Sequence, residues 1–312
     1  MPIKPNRRVL VILTELIRIQ RDDQRTHRSI QVSENADSTQ NRHFLLRRLH
    51  SLSGIVPIGV FLIVHLVTNS TIAWGGLNSR VDQEGFGWID RSIATFQHEV
   101  SFINNMPLLL LIEITLWSAI GFHSILGVYY AMSGKGNTGA YKYGGNLRYA
   151  LQRTTGYFGI FFIFYHVATL RWGWTWLIPG DAVWSHEAAS STFAAALRGS
   201  PEEFTAVGMV VAVFYFFGVS SLIFHFANGL WSAAITWGIT ISRPAQKRWG
   251  FMCAGIGASL MILAWMSIIG FATLDYDRAV EVENAMHGEQ IHLNSEDALD
   301  AVTLTGHDDT DG

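Results

Sequence analysis

Charge is scarce in this chain. Asp, Glu, Lys and Arg make up 15% of its 312 residues, where a soluble domain carries about a quarter. Cysteine is nearly absent: Cys253 stands alone, which excludes an internal disulfide framework, an iron–sulfur cluster held by this chain and a cysteine-based zinc site. Basic excess is missing too, since the formal charge is −3, and without a positive field there is no footprint for nucleic acid. No glycine fingerprint for a dinucleotide occurs, and no internal repeat stands out. What remains is apolar bulk. Hydrophobic residues reach 49%, with 11 Trp and 19 Phe, and the mean hydropathy is +0.22. Such a composition belongs in a bilayer, where indoles gather at the interfaces.

Five segments have the roughly 20 charge-poor residues that a membrane helix needs. They are Leu49 to Ser79, Val100 to Gly134, Thr154 to Gly180, Phe204 to Ser242 and Trp249 to Leu274. The second holds one carboxylate, Glu113, and the third one cation near its end, Arg171. None alternates as a transmembrane barrel strand would, so an all-α membrane protein of five helices is expected. Of the 22 Lys and Arg residues, 17 fall in the N-terminal region and the second and fourth loops. The positive-inside bias therefore puts the N-terminus inside and the C-terminus outside, in a multi-pass protein of a bacterial-type cytoplasmic membrane. Residues 1–43 read as a cytoplasmic extension, because Glu15, Arg18 and Arg21 spoil any secretory signal. Residues 44–274 form the membrane domain. The acidic tail, 275–312, has few large apolar residues and reads as disordered.

Twelve histidines are present, and four of them lie singly inside different apolar segments: His65, His123, His166 and His225. One such histidine is easily a packing residue. Four, one per helix, are not, because ionisable groups within a bilayer are rare and face the interior of the bundle. Their depths sort into two layers. At 1.5 Å per residue, His65 lies about 14 Å before the boundary at Trp74, and His166 about 8 Å before Arg171 and its run of tryptophans. His123 and His225 lie deeper, toward the inner side. Neutral imidazole is an axial ligand for iron, and haem b needs no covalent attachment; the missing C-x-x-C-H motif excludes the c type. A four-helix core holding two haems, covered by a fifth helix, fits the pattern. Glycines near each histidine (Gly54, Gly59, Gly121, Gly127, Gly156, Gly159, Gly218 and Gly229) allow a flat macrocycle close to the backbone, although helix packing also uses small residues.

Several stretches resemble one family. Phe44-Leu-Leu-Arg-Arg-Leu-His-Ser-Leu-Ser-Gly54 runs into Gly59-Val-Phe-Leu-Ile-Val-His65. Phe122-His123, Asn137-Thr-Gly139, Gln152-Arg-Thr-Thr-Gly156 and Tyr165-His166 follow. The run Phe224-His-Phe-Ala-Asn-Gly-Leu-Trp231 is the most distinctive. Together they resemble the cytochrome b558 membrane subunits of succinate dehydrogenases and fumarate reductases, over about residues 43 to 272. The resemblance implies one five-helix chain with two haems b, ligated by His65 with His166 and by His123 with His225. It further implies a membrane anchor for a flavoprotein and an iron–sulfur subunit, with electrons passing between these and a quinone, menaquinone in the di-haem class. Succinate chemistry would belong to the partners, since this chain has no residues for it.

Weaker candidates complete the reading. Arg47, Arg48, His50 and Ser51 stand at the start of the first helix, where propionates or the iron–sulfur partner would lie. Arg171 is placed to pair with a haem propionate or to snorkel to the interface. Glu113, His98 and Glu99 are candidates for quinone or proton exchange. Rival readings are the cytochrome b of another respiratory dehydrogenase and a proton-coupled transporter using the buried histidines. Transporters typically show repeats and broken midplane helices, and neither is visible here.

Overall fold

The computed structural model describes residues 15, 18, 21, 40–81, 83–133, 144–178 and 183–288. Every regular element among them is helical. The chain divides into two units, Met1–His50 and Ser51–Gly312. In the first unit, residues 15, 18, 21 and 40–50 are helical, and the Arg48 guanidinium lies over the Phe44 ring at 4.1 Å.

The second unit carries the fold. Its helices are α1 (Pro57–Trp74), α2 (Trp88–Asn104), α3 (Leu109–Ser133), α4 (Gly144–Leu170), α5 (Ala189–Arg198), α6 (Ala206–Thr236) and α7 (Arg243–Ala272); α8 spans 276–288. Four stretches are long and apolar enough to cross a membrane: Gln40–Leu77, Leu109–Ser133, Ala206–Thr236 and Arg243–Ala272. At 27 residues and about 1.5 Å each, α4 has the length to cross. Its first turns, however, carry Asn146, Arg148, Gln152 and Arg153, which lower its hydropathy. Large apolar side chains such as Leu110, Ile125, Phe161, Val210 and Phe251 are exposed on these long helices, as expected of surfaces that face lipid rather than water.

Local chemistry sets the helix ends. Thr205 caps α6 by accepting from the Gly208 amide at 3.0 Å, and Ser242 caps α7 by accepting from Ala245 at 3.3 Å. The apolar run expected from Val100 to Gly134 is split into α2 and α3. Pro107 cannot donate an amide to a continuous helix, and Leu108 takes a left-handed backbone, φ 67°. Glu113 therefore sits near the start of α3.

Three helices beyond the expected five form a cap at one end of the unit: α2, α5 and α8. The tail expected to be disordered thus begins with a helix. Its Ala279, Val282 and Glu283 are buried, Ala279 and Val282 in a cluster with Ile93, Ala94, Leu197 and Phe271. Residues 289–312 lie outside the described residues. Helix α5 shows how the cap is joined. Its N-cap, Ala188, has no side-chain bond to offer, so its first amides are met from other helices. Gln97 of α2 accepts from Ala189 at 3.0 Å. Glu283 of α8 accepts from Ser190 at 2.7 Å and Ser191 at 3.1 Å, and from the Ser191 hydroxyl at 2.5 Å. Asp90 of α2 takes a bidentate bond from Arg278 of α8, at 2.7 and 2.9 Å. That guanidinium holds Asp90 below the usual carboxylate range, whereas burial pushes Glu283 up against the opposing pull of its Ser191 and Ser190 bonds.

Candidate functional site

The four intramembrane histidines meet in two pairs. His65 on α1 and His166 on α4 have ring centroids 5.7 Å apart with planes at 80°. His123 on α3 and His225 on α6 are 6.1 Å apart at 84°. These are the pairs that depth alone separated. A metal–imidazole bond is about 2 Å, so two rings on opposite sides of one metal ion place their centroids roughly 6 Å apart. Both pairs have that span. Among the described residues no three His, Cys, Asp or Glu side chains converge as a metal-binding group.

Three helices measure the distance between the layers independently. On α6, Tyr215 touches His166 while His225 belongs to the other pair, ten residues along. On α4, Gly156 faces His225, ten residues before His166. On the first helical span of the unit, Gly54 faces His123, eleven residues before His65. Ten to eleven residues are three turns, so each helix presents both levels on one face, about 15 Å apart.

The glycines expected near the histidines have a definite task at two of these points. A Cβ at Gly54 would lie 2.4 Å from His123 Cε1, and one at Gly156 would lie 2.9 Å from His225 Cε1. Only glycine lets the rings come this close to a neighbouring helix. Around Gly121, by contrast, an added Cβ would meet nothing within 4 Å.

Each histidine also meets a polar atom through Nδ1. His225 donates to the carbonyl of Gln152 at 3.0 Å. His166 is 3.3 Å from the Tyr215 hydroxyl, His65 is 3.4 Å from Asn69 Nδ2, and His123 is 3.4 Å from Ser53 Oγ. Ligating histidines commonly donate from one ring nitrogen and leave the other for metal. His225 does so, and the Tyr215 and Ser53 hydroxyls can accept in the same sense, whereas the Asn69 amide nitrogen is a donor and does not serve His65 in that way. Tyr215, Asn69, Ser53 and Gln152 were not foreseen as site residues, since nothing in sequence spacing separates them from ordinary polar residues of a helix.

Two weaker candidates find each other. Arg171 grips Glu113 with two bonds, Nε to Oε1 at 2.9 Å and Nη2 to Oε2 at 3.1 Å. Beside them Trp117 and Trp172 stack at 5.7 Å. Arg171, expected at a propionate, is thus engaged by a carboxylate of the chain itself. His98 and Glu99 lie on α2, the former exposed, and are not joined to this pair. Ser51 accepts a bond from Trp237 Nε1 at 2.8 Å, while Arg47, Arg48 and His50 lie in the first unit.

No family model matches the chain. It is, however, 32% identical over 237 residues to the "succinate dehydrogenase cytochrome b558 subunit" of Bacillus subtilis (strain 168), a match covering 74% of this chain and 98% of the relative. The chain belongs to the succinate dehydrogenase cytochrome b558 subunit family. It is therefore an integral membrane protein, a membrane-anchor subunit with apolar helices long enough to cross a bilayer.

Proposed function

We propose that this chain binds two haems b and carries electrons between an iron–sulfur partner and a membrane quinone, menaquinone by its family resemblance. His65 and His166 would hold one haem, His123 and His225 the other. The observation that carries the reading is the pair of imidazole couples at ligation span, stacked about 15 Å apart. Haem iron held by two histidines is saturated, so it exchanges single electrons without binding a substrate.

The chain's own residues supply what that exchange needs. Hydrogen bonds at Nδ1 hold the rings in orientation, so no side chain has to reorganise when an electron arrives. Apolar helices exclude water from both levels, and Phe162 and Tyr215 pack directly on His166. Helix α4 makes the fifth crossing, and the N-terminus faces the side where the flavoprotein and iron–sulfur subunits dock. The cap end then faces outward, with the His65–His166 level nearest to it. Glu113 is a proton donor for quinone reduction at that end, held in place by Arg171.

Haem content tests this reading. Pyridine haemochrome analysis should give two haems b per chain, and purification in mild detergent should recover a flavoprotein and an iron–sulfur protein. A folded chain without haem would end it.

A further inference from the structure

We infer that Gln152 and Asn228 are positioning residues for His225: their side-chain amides fix the hydrogen bond from the His225 ring and so set the character of the nitrogen that faces the metal. The inference rests on the two-haem reading above.

His225 and Gln152 clasp each other twice. The His225 Nδ1–H donates to the Gln152 carbonyl at 3.0 Å, and the Gln152 Nε2–H donates back to the His225 carbonyl at 3.1 Å. A helix carbonyl is normally shielded by the side chain one turn later. Here that residue is Gly156, where a Cβ would strike the His225 ring, so the ring reaches a carbonyl that any other residue would cover.

The clasp is locked from the side. Asn228, buried at 8% exposure, donates from Nδ2 to Gln152 Oε1 at 2.8 Å and accepts at Oδ1 from Arg148 Nε at 3.1 Å. Arginine is a donor only, which fixes the Asn228 oxygen toward it and the nitrogen toward Gln152. Gln152 Oε1 must then accept, and its Nε2 must donate to His225. Every group has one permitted role, so the chain of bonds has a single direction. Arg148 is itself held over the Trp231 ring at 4.1 Å, and Trp231 donates to the Gln246 carbonyl at 3.1 Å. This accounts for Asn228 and Trp231 in the run Phe-His-Phe-Ala-Asn-Gly-Leu-Trp. The other three histidines have longer Nδ1 contacts, of 3.3 to 3.4 Å.

A ring that donates from Nδ1 to a carbonyl is a more basic ligand at Nε2 and favours the ferric state. Loosening the clasp should therefore raise one haem's midpoint potential and leave the other's alone. The test uses the whole complex with Asn228→Leu, Gln152→Leu and the double variant, all neutral changes. Potentiometric titration and low-spin electron paramagnetic resonance follow each haem. Both single variants should retain two haems, raise the potential of the haem that His225→Ala removes, and shift its resonance. A tenfold loss of ferric preference would read as about 59 mV. Because both amides act through one bond, the double variant should move no further than the larger single one.

Unchanged midpoints in both variants, equal movement of both haems, or additive shifts would overturn the inference. If Gln152→Leu loses its haem, Asn228→Leu decides, because it leaves the clasping residue in place; loss there too assigns the network to folding alone. A wild-type complex without haem overturns the two-haem reading itself, whereas two haems with no shift overturn only this inference.

Discussion

In the membrane core, two half-buried histidine pairs hold their rings about 6 Å apart, the span of a metal ion with two ligands, and each ring also meets a polar atom at Nδ1. In the cap of α2, α5 and α8, buried polar groups are consumed by direct bonds: Gln97 and Glu283 saturate the start of α5, and Asp90 takes both arms of Arg278. The core spends glycines to bring rings together, at Gly54 and Gly156. The cap uses carboxylates to join its helices: Glu283 at the start of α5, whose own N-cap offers no side-chain bond, and Asp90 between α2 and α8. Removing a polar side chain from the first should cost a function, and from the second, stability.

The sharpest way to break this contrast is at the histidine pairs. His123→Ala and His225→Ala should each eliminate the same haem, halving the haem content, and His65→Ala and His166→Ala should each eliminate the other. Loss of a common haem on replacing His65 and His225 would undo the pairing. Smaller than deletion, but aimed at the same level, are Gly54→Ala and Gly156→Ala. Each places a methyl group within 3 Å of a ring, so the His123–His225 haem should be weakened while the other level keeps its spectrum. Equal damage to both would show that these glycines serve helix packing in general.

In the cap the expected readout is thermal unfolding, with haem content unchanged. Glu283→Ala strands the amides of Ser190 and Ser191 in a buried setting, at roughly 1–3 kcal/mol for each donor. Glu283→Gln keeps an acceptor for both and should restore most of the loss. If alanine and glutamine behave alike, the hydrogen bonds are not what holds α5.

Much of the core was readable because bilayer chemistry leaves few choices. A lone histidine in an apolar helix is conspicuous, and helix rise converts its position into depth. The cap was not readable for the opposite reason. Asp90, Glu283 and Arg278 resemble ordinary solvated charges in the sequence, and only folding brings residues 90 and 278 together. The helix over 276–288 was hidden within the tail because it buries just a few small apolar side chains, Ala279 and Val282, beside Glu283. Helix α5 resembles a loop, being mostly Ala and Ser with its capping groups on other helices. The role of Gln152 is hidden in the sequence, since it depends on a carbonyl that spacing does not reveal.

Acid should separate the two cap carboxylates by sign. Asp90 has a lowered folded value because Arg278 bonds its charged form. Its contribution is complete above the ordinary carboxylate range and is lost as pH falls through the folded value. Glu283 has a raised folded value because burial penalises its charge. Its neutral form is favoured in the fold, so its contribution diminishes as pH rises through the folded value. Unfolding followed from pH 7 downward should therefore show Asp90→Asn less acid-sensitive than the parent. Glu283→Gln should change the profile in the opposite sense. Two parallel profiles would mean that neither carboxylate is linked to the cap's stability.

The smallest stability effect is expected at Glu113, where the contrast is most nearly reversed. Here a charged pair stands inside the apolar span, yet both partners are partly exposed, Arg171 at 59% and Glu113 at 27% of the side chain. Glutamine still offers its amide oxygen to the Arg171 guanidinium, so Glu113→Gln should leave unfolding nearly unmoved and both haems in place. A carboxylate at this depth is nevertheless costly unless it is used. Glutamine keeps size and hydrogen bonding but not the titrating proton. Turnover from succinate to quinone should slow several-fold while haem reduction from succinate persists. Unchanged turnover would assign Glu113 and Arg171 to anchoring α4 against α3, and would move the proton role to His98 and Glu99 on α2. Loss of a haem would instead place the ion pair with the core, as a support for the His166 end of α4.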